Sequence, residues 1–550
     1  MRKVATFLVL VAVVSLVFGA ALRSGVSLPY NNVYAQSIES VKDTPNVIFI
    51  LSDNQAASLL GAYGNKDIKT PNIDRLASDG IKFTRAYATN GLCSPTRASI
   101  LTALMPSQHG LHDALHDDKT ALWPKEWNAI QEFTTIPTVF KDKGYDTTLI
   151  GKWHLGQPLK AAGAKIGFDD WVTFSQGHTL DFFNNTIIDN NQTYKLENKH
   201  VVDLFTDKAV QYIEDHNDKK PFFMYLAYDA PYMLPPSNFG PQPQNSFYKD
   251  YVNSTFQSFP RLPPSDAMLG YLNGSIGGSS NPAAAQISAV YYHLTKMLND
   301  PESMATMAAN NAIVDDGVGK VMNALKQKGI LNNTLVIYSS DQGVFFGQQG
   351  LMGHSVTTLP TSPYDVVMNI PLIIAHPGHI KPNQTIDMLI SEVDLAPTIA
   401  EYAGFKDVQF KNSPGKSLAS VLRGGTIGNW TDEVYFDDQE TRAITTKDFA
   451  YWKRVDGLGT SAFYVLSKDP GQLKNEINNP QYASMIKELD NKVTEFFKTF
   501  VDKKYDLWNG GSSKDSVWNP DIWKKVNGPI WSPIQIGNAT GNSTLTSLLD

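Results

Sequence analysis

Cysteine is almost absent from this chain: one residue, Cys93, in 550. An internal disulfide is therefore excluded in any compartment. A surplus of basic residues is also missing. Lys and Arg number 47 against 54 Asp and Glu, for a net charge of −7. No basic field attracts a phosphate backbone, which excludes nucleic acid as a partner. After the first 22 residues there is no apolar run long enough to span a bilayer, and no internal repeat is visible.

What is present is the composition of a globular protein, 42% hydrophobic and 18% charged, over a length that holds roughly two to four structural units. Arg2 and Lys3 precede an apolar run from Val4 to Leu22, and small residues around Ala35 offer a cleavage site. This predicts a signal peptide over 1–35 and a secreted or extracytoplasmic protein. The run is also compatible with an uncleaved anchor, the only route by which a membrane becomes a partner. Nine Asn-X-Ser/Thr sequons, from Asn184 to Asn542, agree with export and predict attached glycans.

Short apolar runs ending in polar residues at 46–55, 144–154, 221–228, 333–343 and 370–376 read as strands buried on both faces. Helical patterns alternate with them: 70–80 with Thr70 as cap, 94–106 capped by Ser94, then 136–143, 199–216, 305–328 and 393–402. The alternation predicts an α/β fold with a mostly parallel sheet sandwiched by helices, and ligands at the carboxyl ends of its strands. From 431 to 504 shorter strands and a helix at 480–500 predict a smaller C-terminal α+β subdomain. The remainder, 505–550, reads as a loosely structured tail, and 235–282 as a long insertion loop.

The chemistry concentrates around the lone cysteine, in Cys93-Ser94-Pro95-Thr96-Arg97. A cysteine just before a helix start faces free N–H groups and the positive end of the dipole, which acidify a thiol. Arg97 returns a fixed positive charge to the same end, so the segment reads as an anion site containing a nucleophile. His109, His112 and His116 are spaced as on one helical face, either a transition-metal site or, the preferred reading, an extension of the active-site rim. Trp123, Trp127 and Trp153 suit core packing better than stacking on a ligand.

Cys-X-Pro-X-Arg, placed between a strand ending in Asp53 and the motif Gly-Lys-Trp-His at 151–154, resembles the formylglycine-dependent sulfatases of the alkaline-phosphatase superfamily. The resemblance covers 44–430, which it makes the catalytic domain of an alkaline-phosphatase-like fold. It implies that a formylglycine-generating enzyme converts Cys93 to formylglycine during maturation. The hydrate of that residue would attack sulfur in a sulfate ester of a glycan, aryl or alkyl alcohol. Asp53, Asn54, Asp341 and Gln342 match the family's metal ligands, with residue 93 as a further ligand. Their hard oxygens suit one divalent cation, Ca²⁺ first and Mg²⁺ second. Lys152 and Arg97 match the cationic clamp on the sulfate, and His154 the residue that orients the hydrate or carries its proton.

Two positions depart from the family pattern. Tyr232 stands where a substrate-contacting histidine is usual, and His354 where lysine is usual, so His354 becomes the expected leaving-group acid. A phosphoesterase of the same superfamily and a non-catalytic binding glycoprotein are the competing readings. Cysteine at 93 disfavours the first, and retention of Pro95, Arg97, Lys152 and His154 disfavours the second.

Overall fold

The computed structural model describes residues 44–115, 127–156, 166–232, 244–261, 300–455 and 460–514, apart from 176, 180, 218, 354, 356, 357, 359 and 360. The expected signal peptide, His116, Trp123, His354 and most of the 235–282 insertion lie outside the described residues.

In chain order the central sheet consists of β1 (Asn46–Asp53), β2 (Ile81–Tyr87), β3 (Asp146–Gly151), β4 (Asp170–Phe174), β5 (Asn185–Asp189), β6 (Gln192–Leu196), β7 (Phe222–Pro231), β8 (Thr334–Ser340), β9 (Asn369–Ala375) and β10 (Gln384–Ser391). Their spatial order is β10-β2-β9-β8-β1-β7-β3-β4-β5-β6. The five central strands β8, β1, β7, β3 and β4 run parallel, whereas β9 is antiparallel to both β8 and β2.

Strand β1 shows why its sequence is apolar throughout. Val47, Phe49 and Leu51 enter one hydrophobic cluster, and Ile48 and Ile50 enter another on the opposite face. The first cluster is completed by helices α2 (Cys93–Thr102), α3 (Ile136–Asp142) and α6 (Leu395–Tyr402); the second by α1 (Pro71–Ser78), α4 (Val201–Asp215) and α5 (Pro301–Lys328). The expected α/β sandwich is therefore the observed fold.

Several local expectations need correction. Helix α2 begins at Cys93 with Leu92 as N-cap and no side-chain cap. Ser94 is already inside it, where its Oγ donates to the His154 carbonyl at 2.8 Å and accepts from Leu115 N–H. Thr70 does occupy the cap position of α1, but its hydroxyl binds Gly61 N–H and Asp74 instead of capping. The helical turn Pro106–His109 ends at Gly110 in the left-handed region, so His109 and His112 share no helical face. His109 Nε2 meets Ser99 Oγ at 3.1 Å and His112 Nε2 donates to the Tyr505 carbonyl at 2.9 Å. Both are buried structural groups, not a rim or a metal pair. Trp153 is core: its indole donates to Asn128 and packs edge-on to Phe168.

A second, antiparallel sheet follows, built from β11 (Glu433–Asp437), β12 (Thr441–Thr446), β13 (Phe449–Arg454) and β14 (Ala462–Val465). Helix α7 (Ala483–Thr499) covers it with Leu489, Val493 and Phe497. Asp437 ties this sheet to both flanks of α2. Its carboxylate accepts from Ser107 N–H at 2.7 Å, its N–H donates to the Thr89 carbonyl, and its carbonyl accepts from Asn90. The start of the expected loose tail is folded. Asp506 pairs with Arg442 at 2.8 Å, and Tyr505 is buried under the 106–112 segment, because Arg442 would otherwise be a buried charge with half its partners.

Candidate active site

Four parallel strands deliver their last residues to one place: Asp53 and Asn54 after β1, Lys152 and His154 after β3, Asp229 and Tyr232 at the end of β7, Asp341 and Gln342 after β8. Gly151 makes the turn possible. Its φ is +113°, and a Cβ there would lie 1.9 Å from the Ala227 carbonyl oxygen, so only glycine lets β3 press against β7 before Lys152. Asn54, His154 and Tyr232 also take positive φ (57°, 55° and 31°), a conformation that costs energy in non-glycine residues and clusters at functional sites.

Helix α2 brings Cys93 and Arg97 into this ring. Cys93 Sγ lies 3.4 Å from Asp53 Oδ1 and 3.3 Å from Gln342 Nε2. Arg97 donates from Nε and Nη2 to Asp341 Oδ2 at 3.0 and 2.8 Å, and from Nη1 to the Lys152 carbonyl at 3.1 Å. Lys152 Nζ contacts Asp53 Oδ2 and pairs with Asp229 Oδ1 at 2.9 Å. All of these side chains are buried.

Burial alone would push Asp53 up, but Lys152 and Arg97 together outweigh it and hold the carboxyl at about 2. Asp341 is pushed up to about 7 by burial and by the Asp53 charge, against the pull of Arg97. Asp229 is raised to about 6, by burial first, with Lys152 opposing. The Cys93 thiol is raised, not acidified as its helix-start position suggests: it is desolvated and faces the Asp53 carboxylate. An unmodified thiol here is therefore a poor nucleophile.

His154 has one available proton arrangement. Its Nε2 is 2.7 Å from the Leu115 carbonyl, an acceptor, so Nε2 carries the hydrogen. Burial, then His178 and Lys152, push its pKa well below 6.5, so Nδ1 is an unprotonated lone pair, buried and without a hydrogen-bond partner.

Ligand atoms of Asp53, Cys93 and Asp341 all lie within 4.8 Å of one another. Asn54 Oδ1 is 4.0 Å from Cys93 Sγ, and the Asn54 amide nitrogen is buried without a partner. The Gln342 amide nitrogen donates into this gathering of acceptors, to Asn54 Oδ1 and to Cys93. Rotating that amide presents its oxygen to the same point. Two carboxylates and two amide oxygens around one spot fit a hard divalent cation.

The sulfatase family model matches residues 45–405, the whole span that builds this site. The chain belongs to the sulfatase family. A second model, the C-terminal region of N-sulphoglucosamine sulphohydrolase, matches 362–499. The N-acetylglucosamine-6-O-sulfatase of Bacteroides thetaiotaomicron is 28% identical over 532 residues, covering 84% of this chain and 88% of that protein. Human N-acetylglucosamine-6-sulfatase is 29% identical, covering 73% and 68%. A structure solved in complex with its substrate D-glucosamine-2-N,6-O-disulfate superposes with a TM-score of 0.64 at 25% identity, covering 85% of this chain and 99% of that one.

This sulfatase is an enzyme that hydrolyses sulfate esters, and nine of the expected site residues meet in its structure; the tenth, His354, lies outside the described residues. Tyr232 sits with its ring 4.8 Å from Lys152 Nζ, a buried cation–π contact. Two participants were not expected from the sequence. Asp229 directly follows the apolar run 221–228 but belongs to no motif, and the structure pairs it with Lys152. His178 carries no sequence signal; its ring is 4.4 Å from that of His154 and 6.1 Å from that of Tyr232.

Proposed function

We propose that this sulfatase desulfates an amino sugar, using formylglycine formed from Cys93 by a formylglycine-generating enzyme, together with one divalent cation. Cys93 Sγ carries the reading: it shares one 4.8 Å cluster with both aspartates, while Arg97 and Lys152 reach the same carboxylates. The amino-sugar part is supported by the glucosamine substrates in the names of the relatives.

A cation held by Asp53, Asn54, Asp341 and Gln342, with residue 93 as a further ligand, would supply Lewis-acid stabilisation of charge on the sulfate oxygens. Ca²⁺ suits these ligands best, with Mg²⁺ second. Arg97 has donors from all three of its nitrogens committed to Asp341, Asp53 and the Lys152 backbone, so it fixes the carboxylates in place. Lys152 keeps its positive charge through Asp229 and Asp53 despite burial, and supplies fixed charge for the sulfate. The Nδ1 lone pair of His154 accepts the proton of the attacking hydroxyl. Export through the N-terminal segment, with glycosylation where the host permits, completes the reading.

The test is protein coexpressed with a formylglycine-generating enzyme and offered N-acetylglucosamine 6-sulfate, 4-nitrophenyl sulfate and 4-nitrophenyl phosphate. Sulfate release from the sugar is the expected result. Turnover of the phosphate alone would overturn the proposal.

A further inference from the structure

Breaking the bond from sulfur to a sugar oxygen leaves the electron pair on an alkoxide, which needs a proton as it departs. Few of the described side chains around the site can give one. His154 has its only N–H committed to the Leu115 carbonyl, and its other nitrogen is a lone pair. Lys152 is fully buried, with its Nζ committed to Asp53 and Asp229. Arg97 does not release a proton in water. Tyr232 is buried, with its ring committed to the cation–π contact with Lys152 Nζ at 4.8 Å.

His178 remains. Unlike the groups just named, it is half-buried, not buried. The fold holds it there firmly. The carbonyl of Gly177 accepts from the backbone N–H groups of Trp153 and His154 at 3.0 and 3.2 Å. On the other side, the N–H of Thr179 donates to Asp229 Oδ2 at 3.0 Å. Three hydrogen bonds within three residues clamp this turn to the ends of β3 and β7. The imidazole consequently sits against the rings of His154 and Tyr232.

We propose that His178 is the proton donor to the leaving oxygen, a role resting on the sulfate-ester reading above. As the bond from sulfur to the leaving oxygen breaks with its electron pair on that oxygen, Nε2–H of the protonated His178 ring supplies the proton, while Nδ1 stays against the Thr179 carbonyl at 3.2 Å. The alcohol leaves neutral, and the ring, neutral after the transfer, regains its proton from solvent. Asp229 acts through the turn as a positioning residue.

The experiment compares His178→Gln with His354→Gln on a series of aryl and alkyl sulfates of graded leaving-group acidity, with N-acetylglucosamine 6-sulfate at the demanding end. His178→Gln is expected to lower kcat/KM for alkyl and sugar sulfates by about 10²-fold or more, the usual scale for a general acid. Turnover of 4-nitrophenyl sulfate, whose leaving group needs little protonation, should change by less than about tenfold and doubles as the check on folding. Equal losses across the series, or a leaving-group-selective loss in His354→Gln but not in His178→Gln, would overturn the assignment. If the unsubstituted enzyme ignores the sugar sulfate, the amino-sugar reading fails alone and the aryl and alkyl members still test His178.

Discussion

Arg97 places two donors on a single oxygen, Oδ2 of Asp341, at 3.0 and 2.8 Å, and its Nη2 reaches on to Asp53 at 3.4 Å. Lysine cannot reproduce this: it has one nitrogen and no fixed fork. Arg97→Lys should therefore leave Asp341 or the Lys152 carbonyl without its partner in a fully buried site. A loss of about 3 kcal/mol in stability is expected from breaking a buried pair. A fall of about 10² in kcat should accompany it. Urea unfolding and steady-state kinetics on one preparation measure both, and retention of wild-type values in each would refute the role assigned to Arg97.

Modification of Cys93 makes a mass prediction. In active protein the peptide containing residue 93 should be lighter by roughly 18 Da, the difference between a thiol and an aldehyde side chain. Cys93→Ala should fold normally and lose turnover. Full activity in protein whose peptide mass shows an intact thiol would remove the formylglycine step.

Only two of the four oxygen ligands assigned to the cation are carboxylates. The ion should leave under mild chelation, with activity lost and then restored by added Ca²⁺. Asn54→Asp adds a third carboxylate beside Asp53 and Asp341 and should tighten retention. Stripped of its ion, that variant should melt at a lower temperature than the parent, because three buried carboxylates then repel one another. Elemental analysis and thermal melting after dialysis against chelator read both effects. No difference between the two proteins would count against the ligand set.

His154 offers a test by pH. Burial, reinforced by His178 and Lys152, keeps its folded-state pKa well below 6.5. The native ring thus refuses a proton that the unfolded chain takes up below about 6.5, so this group should erode stability as pH falls through that value. Stability is not lost through this group as pH rises above it. Imidazole resonances of selectively labelled protein should show His154 still unprotonated at pH values below 6.5. A midpoint near 6.5 for that signal would contradict the buried arrangement.

The site was legible in the sequence where strand ends coincide with polar pairs. Asp53, Asp341 and Lys152 each follow an apolar run that has no other way to end at the carboxyl edge of a parallel sheet. Asp229 also follows an apolar run, 221–228, but stands as a single carboxylate outside any motif, and its pairing with Lys152 depends on β7 lying beside β3. His178 depends on a turn fixed by contacts with β3 and β7, which local sequence does not encode. Strand β2 escaped because it alternates, in Ile81, Phe83 and Tyr87, beside the helical signal of α1. The cap assigned to Ser94 failed for a physical reason: its hydroxyl gains two partners, the His154 carbonyl and the Leu115 N–H, that become available only after the chain returns from residue 115 and beyond.

The burial of Cys93, 3% exposed at the foot of α2, would set a schedule for the proposed modification. Gln342, which covers it, lies 249 residues downstream. At about 5–20 residues per second, roughly 10–50 s of translation separate the two. During that interval β8 does not yet exist to pair with β1, and the cysteine cannot be enclosed by the finished site. On the proposed formylglycine reading, an enzyme that needs Cys93-Ser94-Pro95-Thr96-Arg97 as an extended peptide would have to work on the growing or newly released chain, because in the folded protein Pro95 and Arg97 lie inside a helix. Folding accelerated by stabilising the early strands would then lower specific activity by closing the window, even while raising the yield of native protein.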